Sequence, residues 1–487
     1  MRKLVPIIRT LICYLFITLF IYAAVTKLMD FETFQIQLGQ SPLLASFAIP
    51  ISYGIIVIEL VTALLLMFDR FRKLALQFSL LLMVMFTTYI IIILNFTPFT
   101  PCSCGGVLEK LGWTEHLIFN IVFVGLALIG IKLTTSNFIW KTYIFQQTII
   151  ILIGIISVSI LYSLSEKKSQ YNNAFTRTYI PHLLKNQMQF NLESNAFYIA
   201  GLDDSIVYLG NYNAPLYVTL INYKKNTSTT LQVKIDQLDL PYKRVRIEIQ
   251  SPYFYVGDGT IPIIFRGKIN NWKAITFMKN TAYFSSFQPI DSSSIAIVTT
   301  STQTQSNVIG LLNYENKTES FSLKLSHTIL KNQHNGMFDT DGILKWIPQL
   351  NKLVYAYYYR NQIEIADREL NPITTVHTID TISKAQITSA YYKKSNQYKL
   401  GNAVMVNRLA VTDAHFLYIN SDRLGKYDDK DVLKSASIID CYDLIDNSYQ
   451  HSFYFYHQPN FKLKDFRIHS DQIVGIVDQQ LLIHKIK

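Results

Sequence analysis

Two cysteines, Cys102 and Cys104, lie in the segment TPFTPCSCGGVLEKLGWTEH with only Ser103 between them. A disulfide across one intervening residue closes a small, strained ring, and strained, exposed disulfides are the oxidising, exchangeable ones. Gly105 and Gly106 follow directly, so the backbone can bend there and another chain can come close. The chemistry implied is thiol–disulfide exchange; a disulfide that staples a loop, or two thiols held by packing, is the alternative. His116 lies just beyond, beside Glu115 and Trp113. An imidazole there would lower a thiol pKa or carry protons, or simply cap a helix at a polar boundary. A Cys–Cys–His metal centre would lack the fourth ligand that structural zinc takes, so no metal is expected. Glu59 stands near the middle of the apolar run ISYGIIVIELVTALLLMF, and an ionisable group at such depth faces a bundle interior and marks function. Its candidate roles are proton uptake or a hydrogen bond to a quinone-like head group; the structural alternative is a bond to Tyr or Ser on a facing helix. Lys27, after IYAAVT, is read as snorkelling outward or pairing with Asp30 or Glu32.

These residues need elements to hold them. Apolar runs at roughly 5–28, 46–68, 73–95, 115–134 and 143–164 are each long enough to cross a bilayer as a helix. The first follows MRKLVPIIR and resembles a secretory signal, but four more spans come after it, so it reads as a retained helix. Arg2, Lys3 and Arg9 precede span one; Arg70, Arg72 and Lys73 crowd the turn between spans two and three; Lys132 and Lys141 flank the link from four to five. These sites alternate and so share one face, which the positive-inside rule makes cytoplasmic. The cysteine segment and everything after span five are then expected outside, where disulfides persist.

After Ser165 the chain changes character. Short aromatic and β-branched runs such as FYIAG, IVYLGN, RVRIEI, HFLYINS and QIVGIVDQQLLIHKI follow one another, bounded by Asn, Asp, Gly and Ser. Three hairpin phrases recur: VYLGNYNAPLYVTLINY, YFYVGDGTIPIIFRG and LVYAYYYRNQIEIAD. Repeated strands over this length fit a β-propeller of six or seven four-stranded blades, with a pair of β-sandwiches as the alternative. The last strand, LLIHKI, is expected to complete a blade with the first strand after the linker.

The 487 residues carry a formal charge of +11. The Lys and Arg residues are scattered through the polar part or gathered at the ends of apolar runs, so no nucleic-acid partner is expected. Four cysteines cannot make a disulfide framework for a chain of this length; Cys13 and Cys441 read as buried single thiols. Asp203, Asp204, Asp258 and Asp367 fall at turns, where Asp serves backbone geometry. Neither a Ser/His/Asp triad nor a phosphate-binding glycine loop is visible, and Asn226-Thr-Ser is a glycosylation sequon of low specificity.

The segments IYAAVTKLMDFETFQIQLGQSPLL, GIIVIELVTALLL, the DRFRK turn and PFTPCSCGGVLEKLGWTEHLIFN resemble the MauE/DoxX family of redox-associated membrane proteins, in the form common in Bacteroidetes. The resemblance spans roughly residues 5–134 and does not reach the outer domain. It implies a four-helix membrane bundle, with the fifth span as an added tether. MauE itself supports disulfide formation in a periplasmic dehydrogenase subunit alongside a thioredoxin-like protein; for this chain the resemblance implies the thiol–disulfide role and no dehydrogenase partner. The family's paired cysteines correspond to Cys102 and Cys104, and its acidic residue in the second span to Glu59. The family usually has Gly between the cysteines and Phe-Gly after them; here Ser103 and Gly105-Gly106 stand in those places.

The expected organisation is a four-helix membrane domain over 1–141, a tethering helix over 142–165, a linker over 166–185 and a periplasmic propeller-like domain over 186–487. The expected function is periplasmic thiol–disulfide exchange at the bacterial inner membrane, as an oxidoreductase component with Cys102, Cys104, Glu59 and His116 as site residues. Its partners would be a thioredoxin-like protein or a secreted cysteine-containing client, and a quinone is the candidate cofactor. The alternative is a non-catalytic, membrane-anchored binding protein whose cysteine loop is structural.

Overall fold

The computed structural model describes residues 4–41, 43–44, 47–96, 112–135, 139–170, 174–315, 320–333, 338–392 and 397–487. It divides into two compact units: residues 1–170 with 387–403, and residues 171–386 with 404–487.

The first unit is helical. Its elements are α1 (Leu4–Met29), α2 (Phe31–Gln40), α3 (Ala48–Met67), α4 (Arg72–Phe96), α5 (Trp113–Thr134) and α6 (Trp140–Gln170). All but the ten-residue α2 are long and apolar enough to cross a membrane. Helix α1 packs on α3 and α5, and α4 on α5 and α6. The shared core holds Phe16, Leu66, Leu76, Leu80, Ala127 and Ile131. Leu64, Ile121, Ile153 and Ile156 point outward and are about half exposed, which in water would be unfavourable and in lipid is the expected state. The tight α3–α4 turn is held by an Arg72–Asp69 ion pair, and Arg72 Nε donates to the Leu66 carbonyl at 3.4 Å. Helix α2 was not anticipated: FETFQIQLGQ is too polar to read as a span and too short for a long amphipathic pattern. A strand pair, Ile387–Tyr392 with Gln397–Ala403, also belongs to this unit and packs on α2. The sequence alone had placed that stretch in the outer domain.

The second unit is a six-bladed β-propeller. Its inner strands are Phe197–Leu202, Arg246–Gln250, Ser286–Pro289, Gly342–Ile347, Leu409–Asp413 and Leu463–His469, in blades 1 to 6. Each begins an antiparallel sheet of four strands, with a fifth two-residue strand, Lys234–Ile235, added to blade 2. The inner strands neighbour one another in sequence order, and the sixth neighbours the first, so the ring is closed. Closure is made by the chain ends, as expected: Gln480–Ile486 pairs antiparallel with Leu184–Asn191, in register from Leu184↔Ile486 to Asn191↔Gln480. That pairing makes Leu184–Asn191 the outermost strand of blade 6.

The three hairpin phrases are the two middle strands of blades 1, 2 and 4. Successive side chains of a strand point to opposite faces, and here both faces are covered. In blade 1, Val207 and Leu209 pack with Ile476 and Ile483 of blade 6, while Tyr208 packs with Phe254 and Val256 of blade 2. That double coverage is why these strands read as unbroken apolar runs and not as alternating ones.

The described residues of the stretch expected to be a linker, 166–185, belong to the two units. Helix α6 continues to Gln170, and Phe175 and Arg177 are buried in the propeller unit. Arg177 forms a bidentate pair with Asp440 (Nε–Oδ1 2.7 Å, Nη2–Oδ2 3.0 Å) and a second pair with Asp428. Tyr179 donates to Asp428 at 3.0 Å, and the facing carboxylates hold the guanidinium firmly charged.

Candidate functional site in the helical unit

Helix α3 buries one stripe: Ser52, Ile56, Glu59, Thr62, Ala63 and Leu66. The three- and four-residue steps put them on one face, so Glu59 is carried toward the neighbouring helices. Its side chain is 1 % exposed. Lys27, in the last turn of α1, forms an ion pair with Glu59 Oε1. The expected outward reach of Lys27, or its pairing with Asp30 or Glu32, is corrected: the partner is on another span. The reason is mutual. Glu59 is the one charged residue of α3, Lys27 is far along α1 from that helix's other charge, Arg9, and each offsets part of the other's desolvation penalty. The Lys27 ammonium also lies 5.6 Å from the Phe34 ring centroid and 5.9 Å from that of Phe86, within cation–π range. Glu59 Oε2 is buried and has no hydrogen-bond partner among the described residues.

This pair forms part of the wall of a cavity of about 560 Å³, otherwise mostly apolar. Phe34 and Leu38 of α2, Tyr89 of α4, and Trp113, His116 and Asn120 of α5 line it as well. Tyr89 donates to the Ser41 hydroxyl at 3.0 Å, tying α4 to the end of α2. His116 sits in the first turn of α5, its backbone N–H bonded to the Gly112 carbonyl at 3.1 Å, with its ring 6.4 Å from that of Trp113. The structure therefore brings Glu59 and His116 to one cavity. Cys102 and Cys104 lie outside the described residues. Lys27 is the site residue that residue-by-residue reading missed; the available signal was that it and Glu59 are opposite charges on consecutive apolar spans.

The two remaining cysteines, Cys13 and Cys441, are free and buried. In the propeller, burial pushes the Cys441 thiol up to about 12, which removes thiolate character and with it reactivity. The propeller has its own cavity, about 570 Å³, along the ring axis between the inner strands.

Residues 5–133 match the family model of methylamine utilisation protein MauE. None of the curated proteins compared matches the chain. Among solved structures, a member of the DUF4221 family from Bacteroides vulgatus is 11% identical, covering 64% of this chain and 99% of its own, with a TM-score of 0.43. A streptogramin B lyase is 10% identical over 65% of this chain and 100% of its own, with a TM-score of 0.38. Virginiamycin B lyase from Staphylococcus aureus gives 10%, 62%, 99% and 0.36 on the same measures. The helical region thus carries the MauE family match, and a six-bladed β-propeller follows it in the same chain.

Proposed function

We propose that this chain is a thiol–disulfide exchange protein of the bacterial inner membrane. In this reading Cys102 and Cys104 cycle between dithiol and disulfide on the periplasmic face, and the propeller recruits the client. The observation that carries the reading is the buried Lys27–Glu59 pair in an apolar cavity lined by Tyr89 and Trp113. Those two residues stand on the helices that bracket the cysteine segment, α4 and α5. The family match over residues 5–133, which include both cysteines, supports it as well.

In exchange, a client dithiol becomes a disulfide as the Cys102–Cys104 disulfide becomes a dithiol. Re-oxidation of the dithiol releases two electrons and two protons, and a quinone-class group, if held in the helical cavity, would supply the two-electron acceptor. The residues fit such a group: the walls are apolar, Lys27 offers N–H donors, and the unpartnered Glu59 Oε2 can accept a hydrogen bond or a proton. His116, on the same cavity, brings an imidazole that can donate or accept a hydrogen bond.

Replacing both cysteines by Ser is expected to shift secreted cysteine-containing proteins toward their reduced forms, read by thiol trapping. Unchanged thiol states would end the proposal. A membrane-impermeant alkylating reagent applied after reduction tests the face: labelling of Cys102 and Cys104 in intact cells is expected. A second reading, a membrane-anchored binding protein with the cysteines as a staple, draws support from the propeller's axial cavity. It predicts permanently oxidised cysteines, whereas exchange predicts a mixture of oxidised and reduced forms.

A further inference from the structure

The axial cavity of the propeller is lined by six cationic side chains and two acidic ones. Lys243 and Arg244 are exposed, and their backbone N–H groups are bound to Asp258. Arg408 is engaged by the Asn420 side chain at 3.0 Å and the Leu463 carbonyl at 2.5 Å. The remaining cations come from inner strands: Arg246 of blade 2, Lys345 of blade 4 and Arg467 of blade 6. Arg246 and Arg467 share one carboxylate, Glu248, at 3.2 and 3.4 Å. The other acid, Asp465, accepts the Ile199 N–H at 2.9 Å. Lys345 has no hydrogen-bond or ion-pair partner among the described residues.

We propose that this cavity binds a ligand carrying two or more oxyanion groups, with the Lys345 ammonium and the Arg246–Arg467 guanidinium pair as its cationic contacts. An ammonium in a channel where cations outnumber carboxylates six to two is unfavourable, and an oxyanion offsets that cost. Two guanidinium groups sharing one carboxylate retain donors for a second one. The cavity volume is in the range of small-molecule sites. The state of Lys345 agrees: burial, then the nearby Arg467, hold its ammonium down to about 7. The charged groups acting on it across the channel are Arg467 and Asp465 of blade 6 and Arg246 and Glu248 of blade 2. An anion among them favours the charged form, so binding takes up a proton near neutrality, and affinity falls as pH rises through the Lys345 value. The inference is independent of the thiol chemistry.

The test uses the full chain in uncharged detergent, with benzene-1,3,5-tricarboxylate and sulfate as probes and calorimetry as readout. At about pH 6 the tricarboxylate is expected to bind with a Kd below about 1 mM. Affinity should weaken about tenfold by about pH 8.5. Lys345→Met should lose about tenfold at the lower pH. Lys345→Arg should retain binding and abolish its pH dependence, which a merely misfolded channel would not do. Preference for the tricarboxylate supports the proposal, and preference for sulfate, a single oxyanion, overturns its requirement for two or more such groups. Absence of binding by both probes, or binding that Lys345→Met leaves unchanged, overturns it. Replacing Cys102 and Cys104 by Ser should leave probe binding intact, so failure of the exchange proposal and failure of this one are separable.

Discussion

Lys27 and Glu59 show how two charges are kept inside a helical bundle: by each other, by two aromatic faces, and by a position at the wall of a cavity. Removing one partner leaves the other buried and uncompensated, a loss of about 3–5 kcal/mol in proteins generally. Lys27→Met is therefore expected to lower the thermal midpoint of the purified protein clearly. The double variant with Glu59→Gln should recover most of the loss, because no uncompensated charge remains. A double variant as unstable as the single one would mean that Lys27 acts through packing alone. Glu59 was legible as a site residue because an acid within an apolar run is conspicuous. Lys27 was not, because a lysine near a helix end has a simpler outward alternative and sequence separation hides a partner on the next span.

At the scale of elements, the strand runs and apolar helices follow directly from composition, but several pieces depended on context. Helix α2 is short and polar, and its apolar residues Phe34 and Leu38 make sense only against the cavity they cover. Blade 3, built on SIAIVTT and NVIGLLNYE, lacks the tyrosine-rich phrase that marks blades 1, 2 and 4, so the recurring hairpin pattern did not reveal it. The stretch after α6 looked like a connector because its composition is polar, whereas Arg177 buries its charge between Asp428 and Asp440 of blade 5 and its preceding loop. Arg177→Met would strand two buried carboxylates and is expected to destabilise the propeller by about 3–5 kcal/mol. Arg177→Lys should restore only part of that, since an ammonium cannot reproduce the bidentate geometry. Thermal unfolding of the three proteins decides the matter, and a midpoint indifferent to Arg177→Met would show that the network contributes nothing.

For the whole molecule, the decisive feature is that the propeller's sixth blade is assembled from both ends of its chain segment. Deleting residues 480–487 removes the strand that joins Leu184–Asn191 to Gln472–Val477 and leaves two open edges. The truncated protein is expected to be rapidly proteolysed within the β region while the helices stay in the membrane fraction. Protease resistance equal to that of the intact chain would show that closure is not needed for the ring's stability.

The amino-acid sequence by itself determined the local physics: apolar runs of bilayer length become helices, and short β-branched and aromatic runs between turn residues become strands. It also singled out Glu59, His116 and the cysteine pair, since residue type and immediate neighbours carry that information. The tertiary structure decided what depends on distant residues meeting. It gave Glu59 its partner on α1 and set the number of blades at six. It also drew the 387–403 hairpin into the helical unit and turned inner-strand cations from three blades into one channel. Those outcomes depend on which faces are buried against which, and on how many strands it takes to close a ring, neither of which is written in any local window of the chain.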